Sequence, residues 1–201
     1  PPRGVEGLLA GGPDRRTVAL LASVAGDTAV GHLLAHCHAA EALGGVEAPA
    51  RAAALRGVAL ELERLANHVG DLGALAGDVG FLPTASYCGA LRADFLNALA
   101  ELSGTRFGRG LLVPGGVRFD LSAAEAGRLA DKVERAMDLV RRSARLFFRS
   151  ASVRGRTDGT GRLSRETCLA LGMVGPAARA CGVARDVRRD HAFGVCRFAH
   201  V

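Results

Sequence analysis

From Leu55 to Val79, apolar residues recur every three or four positions: Leu55, Val58, Leu62, Leu65, Val69, Leu72, Ala76 and Val79. That is the period of a helix that buries one face. Arg64, Asn67, Asp71 and Asp78 keep the same spacing on the opposite side, which reads either as a solvated polar face or as a functional stripe ending at Asp78. Pro49 suits the first turn of this helix, and Phe81-Leu82-Pro83 breaks it. A second helix is predicted from about Ala85 to Leu102, stopped by Gly104. Upstream, the Gly-Gly-Pro of residues 11–13 closes a short helical piece, and Asp14 or Thr17 opens a helix through Ala25. Gly26-Asp27-Thr28 interrupts it, and Asp27 or Thr28 caps a further helix from Ala29 to Leu43 that Gly44-Gly45 ends. Downstream, Leu111 to Val113 is a strand candidate with a turn at Gly115-Gly116. Ser122 and Glu125 form a capping box for a helix to about Ser150, with Leu129, Val133, Met137 and Val140 on its buried side. Residues 155–161 read as a loop, Ser164 caps a short helix ending near Gly172, and the remainder is punctuated by glycine.

Composition sharpens this into a fold class. Apolar residues make up 49% of the 201, yet aromatics are only 4% and Trp is absent, so Ala, Leu and Val must fill the core. Helices approaching closely through small side chains suit that composition better than a β-sandwich. The expected fold is mainly α: a helical bundle built on long antiparallel helices, with small β pieces. The length suits one domain over residues 1–201. The opening lacks Met, so the chain is expected to start inside a longer sequence or after a leader; the end lacks a helix cap or polar tail, and the domain is expected to be incomplete at its C-terminus.

The net charge of +6 comes almost wholly from arginine, Lys132 being the exception. These arginines are mixed with acids along helices, and no basic run is interleaved with aromatics, which argues against a nucleic-acid partner. No apolar run reaches the roughly 20 residues needed to span a bilayer, and no charged-then-apolar leader opens the chain. A cytoplasmic protein without a transmembrane segment of its own is therefore expected. Five irregularly spaced cysteines fit a reducing compartment better than a disulfide framework.

His32, His36, Cys37 and His38 form the densest cluster of candidate metal ligands, His32 and His36 sharing one helix face. A zincin pattern would need Glu after the first His, where Leu33 stands. His191, Cys196 and His200 form a second group without paired spacing. No Cys-x-x-Cys, Walker pattern, G-x-G-x-x-G after a strand or nucleophile elbow is present, which removes local support for iron–sulfur, nucleotide and hydrolase chemistry.

An ordered series of motifs carries more information. Residues 61–68 read ELERLANH and residues 77–81 GDVGF; Leu91-Arg92-Ala93-Asp94, Glu101-Leu-Ser-Gly-Thr-Arg106, and Pro114-Gly-Gly-Val117 with Asp120 follow. The series resembles the large subunit shared by membrane-bound group 4 nickel–iron hydrogenases (formate hydrogenlyase type) and the quinone-site large subunit of respiratory complex I. The resemblance implies a hydrogenase large-subunit-like core, working as a subunit of a membrane-associated redox complex. Its implied partners are an iron–sulfur small subunit and membrane-arm subunits, placing it peripherally on the cytoplasmic membrane.

The hydrogenase Cys-Gly-x-Cys motif falls on Ala25-Gly26-Asp27-Thr28, with its following His at His32. Two thiolates are thereby missing, so the chain is expected to have no nickel–iron site of its own. The quinone-holding His and Tyr of complex I fall on Pro2 and about Gly26, whereas the acidic residue of that pocket matches Asp78. A His that approaches the partner's cluster falls on Gly108. Glu61, Arg64, Asp78, Gly80, Arg92, Gly115, Gly116 and Asp120 keep family positions, as do Arg3, Arg179 and the Asp186-x-Arg188 pair.

From this follow the expected roles. Asp78 with Arg64 and Arg92 would relay protons or charge, unless Asp78 and Arg92 form an ion pair that only braces two helices. Arg3 and His32 would lie near the cluster or active site. No cofactor is expected on the chain itself, an iron–sulfur cluster is expected in a partner, and quinone is a candidate ligand. The alternatives are a non-catalytic scaffold subunit of such a complex, or a small stand-alone metal-binding domain using His32 and His36.

Overall fold

A computed structural model describes residues 4–197. Arg3 and His200 lie outside the described residues. The chain falls into two compact units, residues 1–149 and 150–201.

The first unit is the predicted helical bundle. Two short helices, α1 (Val5–Leu9) and α2 (Thr17–Leu21), lead into α3 (Ala29–Gly44), α4 (Ala50–Asp78) and α5 (Leu82–Ser103). A two-stranded antiparallel hairpin follows, β1 (Leu112–Val113) and β2 (Gly116–Val117), with Leu112 opposite Val117. Helix α6 (Ala123–Arg149) completes it. Helix α2 stops short of Ala25. Helix α3 ends where Gly44-Gly45 foretold, Gly45 taking a left-handed φ of 63° that returns its N–H to the Glu41 carbonyl.

Helices α4 and α5 run antiparallel: Gly70 faces Arg92, and a Cβ at Gly73 would stand 3.0 Å from that of Cys88. Small residues permit this approach, for the buried face of α4 carries Ala52, Ala59, Ala66 and Ala76 besides Leu55, Leu62 and Val69. That face is turned from the one read in the sequence. Val58, expected inside, is exposed, and Arg56 and Glu63 are buried instead. Seven residues apart, they belong to one helical stripe. Charged side chains enter a core only with partners, and both have them, as described below.

Pro83 does not lie outside the second long helix but in its first turn, where its missing N–H costs no bond. The break falls at Val79 to Phe81, with Gly80 at φ 69°. The capping box forms at the start of α6: the Ser122 N–H donates to Glu125 Oε2 (2.8 Å), and the Glu125 N–H donates to Ser122 Oγ (3.3 Å). Leu129, Ala136, Ser143 and Phe147 are its buried side, with Val133, Met137 and Val140 half-buried on the flank. The Thr84 hydroxyl donates to the Ser143 carbonyl (3.4 Å), tying α5 to α6.

The second unit is a chain of short helices: α7 (Ala151–Thr157), α8 (Arg165–Ala170), α9 (Gly175–Ala180) and α10 (Val187–Asp190), then a 3-10 turn at Gly194–Arg197. Ser164 caps α8 as expected, accepting from the Thr167 N–H (3.1 Å). Gly155, placed in a loop from sequence, is inside α7, which Ser150 caps. Cys168, Ala178 and Val183 form the small core, with Leu163, Met173 and Cys181 packed against it.

Candidate functional site: the polar cleft beside α3

Two buried carboxylates govern α3, one near each end. At its start, Thr28 occupies the capping position but its side chain caps nothing. Glu63 reaches over from α4 instead, accepting from the Val30 N–H (2.7 Å) and the Gly31 N–H (2.9 Å). These are two of the donors that the first turn of any helix leaves unsatisfied. Burial pushes the Glu63 carboxyl above its ordinary value, against the lowering effect of the backbone N–H groups.

Toward the other end, Glu41 pairs with Arg56 of α4 (2.6 Å), and both side chains are buried. Arg56 also donates to the Val113 carbonyl (2.7 Å) and the Gly116 carbonyl (3.0 Å), while Glu41 accepts from the Gly115 N–H (2.7 Å). The pair thus clamps the hairpin onto α3 and α4. The Arg56 guanidinium beside Glu41 holds that carboxyl below its ordinary value.

Beside the start of α3 lies a cleft of about 580 Å³. Asp27 and Thr28 form its rim, and Asn67, Asp71, Gly70 and Gly73 line it from α4. Arg92, with Ala85 and Gly89, closes it from α5. The Asn67 side-chain amide donates to the Asp27 carbonyl (3.1 Å), holding the rim to α4. Arg92 reaches Asp27 at 3.7 Å, a loose ion pair with Asp27 well exposed. Its position depends on Gly70, where a Cβ would stand 3.1 Å from Arg92 Cδ and Nε. The cleft therefore offers carboxylates, an amide, a hydroxyl and one guanidinium on a floor of small residues.

The sequence-predicted residues are not gathered at one point. Arg92 lines the cleft, but its partner is Asp27 and not Asp78. Arg64 pairs with Glu61 one turn away on the same helix, and its Nε has no hydrogen-bond partner. Asp78 is exposed at the C-terminal end of α4, eight residues beyond Gly70 and hence about 12 Å further along the axis. Of the predicted stripe, Asn67 and Asp71 reach the cleft. His32 and His36 are half-buried on α3, and no group of three potential ligands among the described residues gathers to hold a metal. Cys37 is buried, which pushes its thiol up, and burial lowers His38. In the second unit, Asp186 caps α10 and pairs with Arg188 (2.7 Å), which holds its carboxyl far below the usual range. Arg179 there donates to the Arg185 carbonyl (3.3 Å).

Sequence reading missed Glu41, Arg56 and Glu63. Arg56 and Glu63 carried a signal, since each sits three or four residues from apolar positions on both sides. Gly108 is also explained. Its φ is 65°, and a Cβ would stand 2.5 Å from Val30 Cγ2, so no side chain fits where the resemblance places a histidine.

Comparison with known proteins decides the family. The family model of the respiratory-chain NADH dehydrogenase 49 Kd subunit matches residues 78–197. The chain belongs to that family. It is 32% identical to an NADH-quinone oxidoreductase subunit of Thermosipho melanesiensis, over 78% of this chain and 42% of that protein. It is 26% identical to the membrane-bound hydrogenase subunit alpha of Pyrococcus furiosus, over 82% of this chain and 38% of that one. Among solved structures it matches a chain of the membrane-bound sulfane sulfur reductase, an archaeal respiratory membrane complex, with a TM-score of 0.72 and 27% identity. That match covers 78% of this chain and 42% of the other. The chain thus spans about two fifths of the length of these relatives, and it shares its mainly α fold with the matched part of that solved structure. No helix among the described residues is long and apolar enough to cross a membrane.

The cleft's donor set can be tested against a nickel–iron centre. Such a soft centre requires thiolates. None of the residues lining the cleft is a cysteine, and the resemblance puts Ala25 and Thr28 at the two thiolate positions of the hydrogenase motif. The oxygen and nitrogen donors present do not fit that centre.

Proposed function

We propose that this chain acts as the large subunit of a membrane-associated redox complex of the NADH–quinone oxidoreductase and hydrogenase kind. In this reading it holds no nickel–iron site of its own, contacts an iron–sulfur partner subunit, and lies peripherally on the cytoplasmic face of the membrane. Membership of the family supports the reading, together with one observation. The rim residues Asp27 and Thr28, where the resemblance puts the hydrogenase thiolate motif, line one polar cleft with Arg92, Asn67 and Asp71.

Such a cleft handles charge and protons, not metal. Arg92 stabilises negative charge arriving in the cleft, and the exposed Asp27 carboxylate stands beside it at the rim. A quinone headgroup, with two carbonyl oxygens, suits the Arg92 guanidinium and the Asn67 amide as donors. The predicted relay of Asp78, Arg64 and Arg92 is retained here only through Arg92. Asp78, about 12 Å further along α4 than Gly70, is reached only by a longer path, and His32 lies one turn into α3 from the rim.

The experiment is turnover of the assembled complex carrying Arg92→Gln, Asp27→Asn or Asp78→Asn, with quinone reduction and hydrogen evolution both measured. An active cleft predicts a loss of about 10²-fold for Arg92→Gln, with Asp78→Asn reporting on the longer path. Unchanged turnover in all three, in a complex that still assembles, returns the chain to a scaffold role. That second reading draws on the Glu41–Arg56 clamp, whose buried bonds maintain shape alone.

A further inference from the structure

In the second unit, three arginines meet around one turn of backbone. Helix α9 is closed by Gly182, whose left-handed φ of 80° lets its N–H donate to the Arg179 carbonyl (3.0 Å) and the Val183 N–H to the Ala178 carbonyl (3.0 Å). The chain leaving this turn runs through Ala184 and Arg185 to Asp186, the cap of α10. Side chains from both helices hold it there. Arg179 of α9 donates through Nη1 to the Arg185 carbonyl (3.3 Å), and Arg189 of α10 donates through Nη2 to the Ala184 carbonyl (2.7 Å). With Gly182, Ala184, Arg185 and Asp186 they line a cleft of about 310 Å³. A Cβ at Gly182 would meet nothing within 4 Å, so that side of the cleft is open.

The charge around this cleft is not balanced. Asp186 accepts from the Arg188 N–H (3.0 Å) and pairs with the Arg188 guanidinium (2.7 Å). Asp190 accepts from the Asp186 N–H (2.9 Å) and pairs with Arg189 (3.0 Å). Both nearby carboxylates are thus engaged. Arg179 and Arg185 have no ion pair among the described residues, and the carbonyl that Arg179 meets brings no charge to oppose its own. Like charges held together repel, and an anion between them relieves that repulsion. Arg179 and Arg189 each use only part of their N–H donors on the backbone and on Asp190, so donors remain for a ligand. We propose that this cleft binds a phosphoryl group, with Arg179 and Arg185 as its charge partners and Arg189 as a further donor. Planar guanidinium groups match the oxygens of a phosphate in pairs, and the volume admits a phosphoryl group with the first atoms attached to it. A soluble phosphate and the headgroup of an anionic lipid share this chemistry. The site uses no residue of the cleft beside α3 and does not depend on the function proposed for it.

The test is calorimetric titration of the full chain with inorganic phosphate, against chloride at the same ionic strength. Saturable binding of one phosphate per chain is expected. Arg185→Gln should weaken it by about tenfold or more, the effect of losing one charge-assisted hydrogen bond. The Arg185 side chain holds no backbone group in place, so that variant should melt like the wild type; Arg179→Gln also frees the Arg185 carbonyl and is read alongside it. Arg162→Gln, an exposed arginine of the same unit outside the cleft, should bind as the wild type does. Co-sedimentation with phosphatidylcholine vesicles, with and without phosphatidic acid, separates the two sources. Phosphate binding together with capture by the phosphatidic acid vesicles, lost in Arg185→Gln, assigns a lipid headgroup; phosphate binding without capture assigns a soluble phosphate. Absence of saturable phosphate binding, or equal weakening by Arg162→Gln and Arg185→Gln, overturns the proposal.

Discussion

The two ends of α3 use buried charge in opposite ways. Near its C-terminal end, Glu41 and Arg56 have every strong partner within reach: each other, two hairpin carbonyls and a hairpin N–H. Near its start, Glu63 serves only backbone donors, and the adjoining cleft holds Arg92 and Asp27 at 3.7 Å with room between the helices. A satisfied network is rigid and specifies one arrangement, whereas loosely paired charges facing solvent can change partners. The molecule therefore separates what maintains its shape from what can do chemistry, along a single helix.

The comparison breaks most visibly at Arg56. Arg56→Met strands Glu41 in the core and should destabilise the protein by about 3–5 kcal/mol in a denaturant titration. Gly108→Ala comes next, because it combines a left-handed φ with a Cβ driven into Val30. A loss of about 2–4 kcal/mol is expected from strain and overpacking. If Gly108→Ala melts like the wild type, the packing at the start of α3 is looser than described.

Glu63→Gln sharpens the contrast through pH. The Glu63 pKa is raised in the folded state, so its contribution favours folding below the ordinary value of 4.5 and fades as pH rises through the folded pKa. For Glu41 the pKa is lowered, so its contribution is present above 4.5 and is lost as pH falls through the folded pKa. Acidification from neutrality toward 4.5 should therefore relieve the start of α3 before it harms the clamp. Glu63→Gln should cost about 1 kcal/mol at neutral pH and abolish that rise; a variant with the wild-type pH profile would assign the rise elsewhere. The smallest effect belongs to Asp27→Asn, within about 1 kcal/mol of wild type because the pair is exposed and long.

How much of this was legible in the sequence follows the same division. The period of Leu55 to Val79, the capping box at Ser122 and the glycine stop at Gly45 gave the bundle, because each is a local rule. The ordered motifs gave the family. The buried face of α4 was misjudged because Val58 outranks Arg56 on any scale of hydrophobicity, and only tertiary partners reverse the order. Capping of α3 by Glu63 was hidden for the same reason, the partner lying 33 residues away. Of the candidate site, Arg92, Asn67 and Asp71 stand out in the sequence, but Asp27 reads only as a helix cap and as the variable position of the hydrogenase motif. Its pairing with Arg92 depends on how α5 folds back along α4.

The measurement that bears most directly on the central claim is affinity isolation of the full-length natural protein from its own membranes, with its partners identified by mass spectrometry. Recovery with an iron–sulfur small subunit and membrane-arm subunits in fixed stoichiometry is expected. Recovery of the protein alone, in the soluble fraction, would contradict that claim.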